Sequence, residues 1–270
     1  MLRNSQMKRN LLSILILLVV SSLVQAHEFW LQPKKYRYAI GEEIKLDFRV
    51  GENFDGEFWD LERHEVEKME LHRANGVKDL LKTVKPTAGS NLTFKADAVG
   101  TYLVGMQSNA AYIELEAEKF NAYLKEDGLD YILDERTKAG ILSKPSTEYY
   151  TRFAKLLLQS GDKTDDTFKK KLGLRYEIVP DQNPYLLKAG DYLQCHVFYQ
   201  GKPAAHALVK IWNKVNSTTF LQNLYTESDG TVRFPINASG PWMVSSVCMI
   251  ASEKSGADYH SFWASLVFGI

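Results

Sequence analysis

Ile44, Leu46, Phe48 and Val50 alternate with Lys45, Asp47 and Arg49 and stop at Gly51. A period of two turns one face to a core and the other to water, so the run predicts a half-buried strand. Tyr36, Tyr38 and Ile40 lead into Gly41 with the same alternation, and Leu92, Phe94 and Ala96 repeat it. Gly100 opens Thr101–Val104, and Tyr112–Leu115 follows. Short strands bounded by turn residues predict a β-sandwich over residues 27–115, near the size of one immunoglobulin-like module of about 100 residues.

The period changes over 116–173. Phe120, Tyr123 and Leu124, then Leu129, Ile132 and Leu133, fall at helical spacing, with Gly128 between them. Tyr149, Tyr150, Phe153, Ala154, Leu157 and Leu158 form a second stripe that predicts another amphipathic helix. Ser146-Thr147-Glu148 offers its start and Gly161 its stop. From 174 to 270 the alternation returns: Leu193, Cys195, Val197 and Tyr199 share a face, Asp229-Gly230 marks a hairpin, and Trp242, Val244, Ser246, Cys248 and Ile250 share another. The expected fold is therefore mainly β: two immunoglobulin-like β-sandwich modules, 27–115 and 174–270, with an α-helical insertion, 116–173, between them. Cys195 and Cys248 are both mid-strand among apolar neighbours, with Trp212 on an intervening strand. That arrangement predicts an inter-sheet disulfide. Two independent buried thiols are the other reading, and a metal-thiolate role for Cys248 a third.

Residues 1–26 carry a different signal. Arg3, Lys8 and Arg9 precede an apolar run, Leu11–Val20, and Val24-Gln25-Ala26 has the small-residue pattern of a signal-peptidase cut. The run is short for a membrane span of about 20 residues. An exported chain, soluble after cleavage and not inserted in a membrane, is expected. The whole chain of 270 residues balances 33 Lys+Arg against 33 Asp+Glu. Losing the leader removes those three bases and no acid, leaving 30 basic against 33 acidic groups. That charge favours neither nucleic acid nor a polyanion as partner.

Cleavage after Ala26 would make His27 the N-terminus. Its α-amine, with a pKa of about 7.7–8, and its imidazole could then chelate one metal ion. Imidazole suits nickel, copper, cobalt and zinc. Glu28 could add an oxygen, although it faces the other way along a strand. His260, at a loop end beside Asp258, is the expected second histidine. His64 and His72 lie in the charged stretch Glu62–Arg73 and are expected to be solvated, as is His206 beside a turn; His196 points opposite Cys195. No H-x-H, H-x₃-H or H-E-x-x-H spacing supports a local zinc motif. Arg152, Lys155 and Lys119 beside several tyrosines could form an anion groove, against the plainer reading of packed stems and solvated charges. There is no G-x-S-x-G elbow, P-loop or G-x-G-x-x-G, and no catalytic residue is assigned.

Several segments resemble one family. His27-Glu28-Phe29-Trp30-Leu31-Gln32-Pro33 directly after a leader is similar to the start of the bacterial family DUF4198, a domain of unknown function. Arg49-Val50-Gly51-Glu52, Tyr123–Gly128, Tyr150–Lys155 and Phe262-Trp263-Ala264-Ser265-Leu266 also fit. The resemblance implies a periplasmic protein associated with nickel-uptake transporters. The expected function is thus a non-catalytic, periplasmic metal-binding or metal-uptake accessory. It would present a divalent transition metal to a membrane metal transporter or other envelope protein. A metal-free envelope adaptor and a copper histidine-brace oxidative enzyme are the alternatives.

Overall fold

The structure is a computed structural model that describes residues 27–270; the expected leader, 1–26, lies outside the described residues. In chain order the first half holds β1 (Glu28–Pro33), β2 (Arg37–Tyr38), β3 (Glu43–Glu52), β4 (Asp55–Phe58), β5 (Val66–Arg73), β6 (Gly76–Asp79), β7 (Leu92–Lys95), β8 (Gly100–Ser108) and β9 (Ala111–Leu115). Two helices follow, α1 (Ala117–Glu126) and α2 (Asp130–Lys138), and then β10 (Ser146–Ser160). The second half holds β11 (Tyr176–Pro180), β12 (Tyr192–Tyr199), β13 (Lys202–Pro203), β14 (Leu208–Val215), β15 (Thr218–Tyr225), β16 (Thr231–Pro235), β17 (Pro241–Ala251) and β18 (Tyr259–Gly269).

The mainly β class is as expected, but the sheets are open and the halves are not two self-contained sandwiches. One ten-stranded sheet runs β15-β14-β17-β18-β10-β8-β5-β6, with β2 and β9 also on β10, and so draws strands from both halves. Its seam is the parallel pairing of β10 with β18, Glu148 beside Tyr259 through Leu156 beside Val267. A four-stranded sheet of β1, β3, β4 and β7 covers one face, and a second of β11, β12, β13 and β16 covers the other.

Side-chain parity along β10 and β18 sorts these layers. Ala154, Leu156, Leu158 and Val267 enter the core under β1 and β3, with Trp30, Phe48 and Tyr102. Phe153, Leu157, Phe262 and Leu266 enter the core under β11 and β12, with Tyr176, Cys195 and Phe234. The two helices lie on the β1 side, burying Phe120, Tyr123, Leu124 and Ile132 against Val247, Met249 and Trp263. Their i, i+3, i+4 spacing is the one read from the sequence.

The second expected helix is strand β10. Ten consecutive residues, Thr151–Ser160, are buried, because both faces of this strand are covered. A strand buried on both faces loses its period of two and reads as a continuous apolar run, which mimics a helical stripe.

The expected disulfide is absent: Cys195 and Cys248 are free thiols. Both do face the core shared by β12 and β17. They sit at different heights in it. Cys248 is the strand partner of Phe262, whose ring packs 5.8 Å from Tyr199. Cys195 lies four residues from Tyr199 along β12 and is paired with Pro180 and Val232 in the smaller sheet. Among the described residues no helix is long and apolar enough to cross a membrane.

Candidate functional site

β1 crosses the large sheet on the helical side, and its backbone is tied down there. Ser265 Oγ donates to the Phe29 carbonyl at 2.7 Å. Arg152 Nη1, from β10, donates to the His27 carbonyl at 2.9 Å. Buried charged side chains gather on either side of this crossing, in two groups.

The first group centres on Lys210 of β14. Its Nζ lies 2.6 Å from Asp127 Oδ1 and 3.7 Å from Glu28 Oε1. Ser245 Oγ donates to Glu28 Oε1 at 3.1 Å and accepts from Trp212 Nε1 at 3.1 Å. Asp127 reaches Lys210 because α1 stops at Glu126, with Gly128 just beyond it at φ +68°, and because the chain there packs on β14: a Cβ on Gly128 would meet Leu208 Cβ at 2.5 Å. A left-handed residue just past a helix end is a position that glycine fills without strain. One ammonium here serves two buried carboxylates, so burial dominates. It pushes Asp127 up to about 7, with the Glu28 charge adding to it and Lys210 opposing. Burial also raises Glu28, again against Lys210. For Lys210 burial pulls down, but the two carboxylates outweigh it and the group stays above its ordinary value. A cleft of about 170 Å³ opens beside this group, lined in part by Glu28, Glu52, Glu126 and Lys210.

The second group lies along β10 and β18. Ser261 Oγ and Tyr123 OH, the latter at 3.3 Å, donate to Glu148 Oε1, and Trp263 Nε1 donates to Ser261 Oγ at 2.8 Å. Glu148 Oε2 is buried without a partner, and burial pushes this carboxyl up to about 7 against its hydrogen bonds. Arg152 is four residues on, on the same face. Its guanidinium sits 5.8 Å from the Phe29 ring, 5.4 Å from Tyr150 and 5.8 Å from Trp263. Its Nε is buried and unpartnered.

His64 belongs to this neighbourhood. Its ring stacks on Trp59 at 5.1 Å and 4°, and Trp59 in turn packs 4.9 Å from Phe29. Tyr150, whose ring faces Arg152, is also 6.1 Å from the His64 ring. His64 Nδ1 is buried with no hydrogen-bond partner. Burial first, then the Arg152 and Arg63 charges, hold the imidazole below its ordinary pKa and so neutral near pH 7.

The expected trio is split. His27 and Glu28 lie on the β1 side of the large sheet. His260 is an even-numbered residue of β18 and faces the other side, where its ring packs 4.3 Å from Phe262 and its Nε2 shares a 2.9 Å hydrogen bond with Thr151 Oγ1. Burial, then Arg175 and Lys254, push it down to about 4. Parity along β18 therefore removes His260 from the neighbourhood of β1. Glu28 is committed to Ser245 and Lys210. His196 is paired with Asp181 and His72 with Glu70, both at 2.9 Å, and His206 is exposed. The suggested anion groove is split too: Lys155 is buried against Glu177 at 2.8 Å on the far face, and Lys119 is exposed. His64 was expected in solvent because charges surround it; the signal against that is Trp59, an apolar anchor five residues earlier. Among the described residues no group of three or more His, Cys, Asp or Glu converges as a metal cage.

The family model described as "Domain of unknown function (DUF4198)" matches residues 24–249. Among curated proteins none matches the chain. Solved structures with some likeness include Salmonella alpha-2-macroglobulin, at 11% identity and a TM-score of 0.24, covering 89% of this chain and 15% of that one. A DUF4785 family protein from Legionella pneumophila follows at 8% and 0.23, covering 79% and 51%. Three N-terminal domains of the bacteriophage RB49 outer capsid protein Hoc follow at 9% and 0.22, covering 89% and 70%. The chain thus spans well under two thirds of the first two proteins.

Proposed function

The chain belongs to the DUF4198 family, a domain of unknown function, and from that premise we propose that it is an exported transition-metal-binding protein whose site is built on His27 and His64. The observation that carries this reading is the buried, unpartnered Nδ1 of a neutral His64. A metal takes a neutral imidazole, and an orphaned buried nitrogen is costly unless something binds it. Arg152 supports the arrangement by clamping the His27 carbonyl, which fixes the residue just ahead of β1 in place. Leader cleavage before His27 would add its amine, making three nitrogen donors with the two rings. Such a donor set suits copper, nickel or zinc rather than magnesium or calcium. The Arg152 charge opposes a cation here, and Asp60, the acidic group that acts on His64, offsets it in part. In this reading Glu28 positions β1 through Ser245 and Lys210 and is not a ligand.

The proposed role is to hold such an ion in the periplasm and present it to an envelope transporter. The test is a calorimetric titration of processed protein with Cu²⁺ and Ni²⁺. His64→Ala and a form carrying one extra residue before His27 should each lose affinity at least tenfold, and His260→Ala should not. Unchanged affinity in His64→Ala would end this assignment.

A further inference from the structure

The main path of the ten-stranded sheet ends in two unlike strands. At one end, β6 is four residues long and carries Lys78 and Asp79, and a short, charged edge resists further pairing. At the other, β15 runs for eight residues. It pairs along its whole length with β14 and, among the described residues, with no other strand, so its outer row of N–H and C=O groups is open. Phe220, Leu221 and Tyr225 are 57%, 45% and 57% exposed. No residue from Val215 to Thr226 is charged and none is proline, in a chain where 24% of residues are charged. The β14–β15 hairpin is anchored at its turn end. Thr219 Oγ1 donates to the Asn53 carbonyl at 2.6 Å, and Lys214 Nζ to the Phe54 carbonyl at 3.0 Å, at the β3–β4 turn.

We propose that β15 is a self-association edge: two copies of the chain pair antiparallel through it about a two-fold axis, joining their large sheets into one. The sequence of the strand names the occupant. Around a two-fold the axial residue meets its own copy and every other residue meets another residue of the same strand, so a strand carrying charges of one sign would set them close to one another and repel. β15 is free of charge along its length, whereas docking to a different protein would tolerate, and often use, complementary charges. Pairing centred on Gln222 sets Phe220 opposite Leu224 and Gln222 opposite its own copy, which covers the exposed aromatic and matches amide with amide.

Sedimentation velocity of the purified protein from low to high micromolar concentration tests this. The wild type should reach twice the mass of one chain. Phe220→Lys and Gln222→Lys, both at exposed positions, should sediment as single chains with unchanged circular dichroism. Tyr112→Lys, an exposed aromatic elsewhere, should leave the dimer intact. Should Phe220→Lys fail to fold, Gln222→Lys decides. A wild type of single-chain mass at every concentration would overturn the proposal, as would a dimer that survives the lysine substitution in β15.

Discussion

Asp127→Asn tests the physical reading of the buried Lys210 group. One ammonium faces two carboxylates that are 2% and 3% exposed, and its charge can balance only one of them. In the folded protein Asp127 therefore holds its proton up to about 7, against an ordinary value of 3.8. That is about three pH units, or about 4 kcal/mol at 1.36 kcal/mol per unit. The sign follows from proton counting. Between the two values the folded state binds more protons than the unfolded state. The contribution to stability is thus full below pH 3.8 and drains away as pH rises through 7. His260 runs the other way. Its folded value of about 4 lies below the ordinary 6.5, so its contribution is present above 6.5 and is lost as pH falls through 4. The wild-type curve mixes both trends, but a difference against Asp127→Asn isolates the first. An amide stands in for the neutral carboxyl and does not titrate. Urea unfolding followed by tryptophan fluorescence, at steps between about pH 4 and pH 8, should show the variant gaining on the wild type by up to about 4 kcal/mol as pH rises. A flat difference, or one that drifts toward the wild type, would mean that Asp127 ionises normally and that Lys210 holds it in an ordinary buried ion pair.

Gly128→Ala should lower stability by about 1–3 kcal/mol, the usual cost of overpacking, because it combines a left-handed backbone with a Cβ against Leu208; thermal unfolding reads it. Alkylation under denaturing, non-reducing conditions should add two labels by intact mass, and in the folded protein both thiols should react slowly, since burial raises Cys195 and Cys248 alike and keeps them from the reactive thiolate form. Arg152→Met should keep the fold and weaken metal binding by releasing the His27 carbonyl; affinity equal to wild type would remove the clamp from the site.

The sequence displays strands that have one wet face and hides those that have none. β3 alternates in burial as its residues alternate in polarity, so its core face is readable from the sequence. β10 is covered on both sides, so the strand at the centre of the fold looked like a helix. Missing it also concealed that the two halves share a sheet, since β10 is where they meet at β18. The same gap accounts for His260. Its position in sequence suggested an accessible loop end, whereas parity in β18 turns it into the core away from His27. His27 and Glu28 could be singled out from the residues that precede them. Lys210, Asp127 and Glu148 could not, because each looks like a surface charge until strands and a helix end distant in sequence bring them together. His64 looks solvated for the same reason: Trp59 and Tyr150 shelter it, and Tyr150 comes from β10, whose strand character the sequence hides.

The central claim is that His27 and His64 hold one transition metal. Electron paramagnetic resonance of the processed protein with one equivalent of Cu²⁺, read for coupling to coordinated imidazole nitrogens, tests it most directly. Two imidazoles should be present in the wild type and in His260→Ala, and one in His64→Ala. A spectrum unchanged by His64→Ala, or one that loses an imidazole in His260→Ala, would contradict the account.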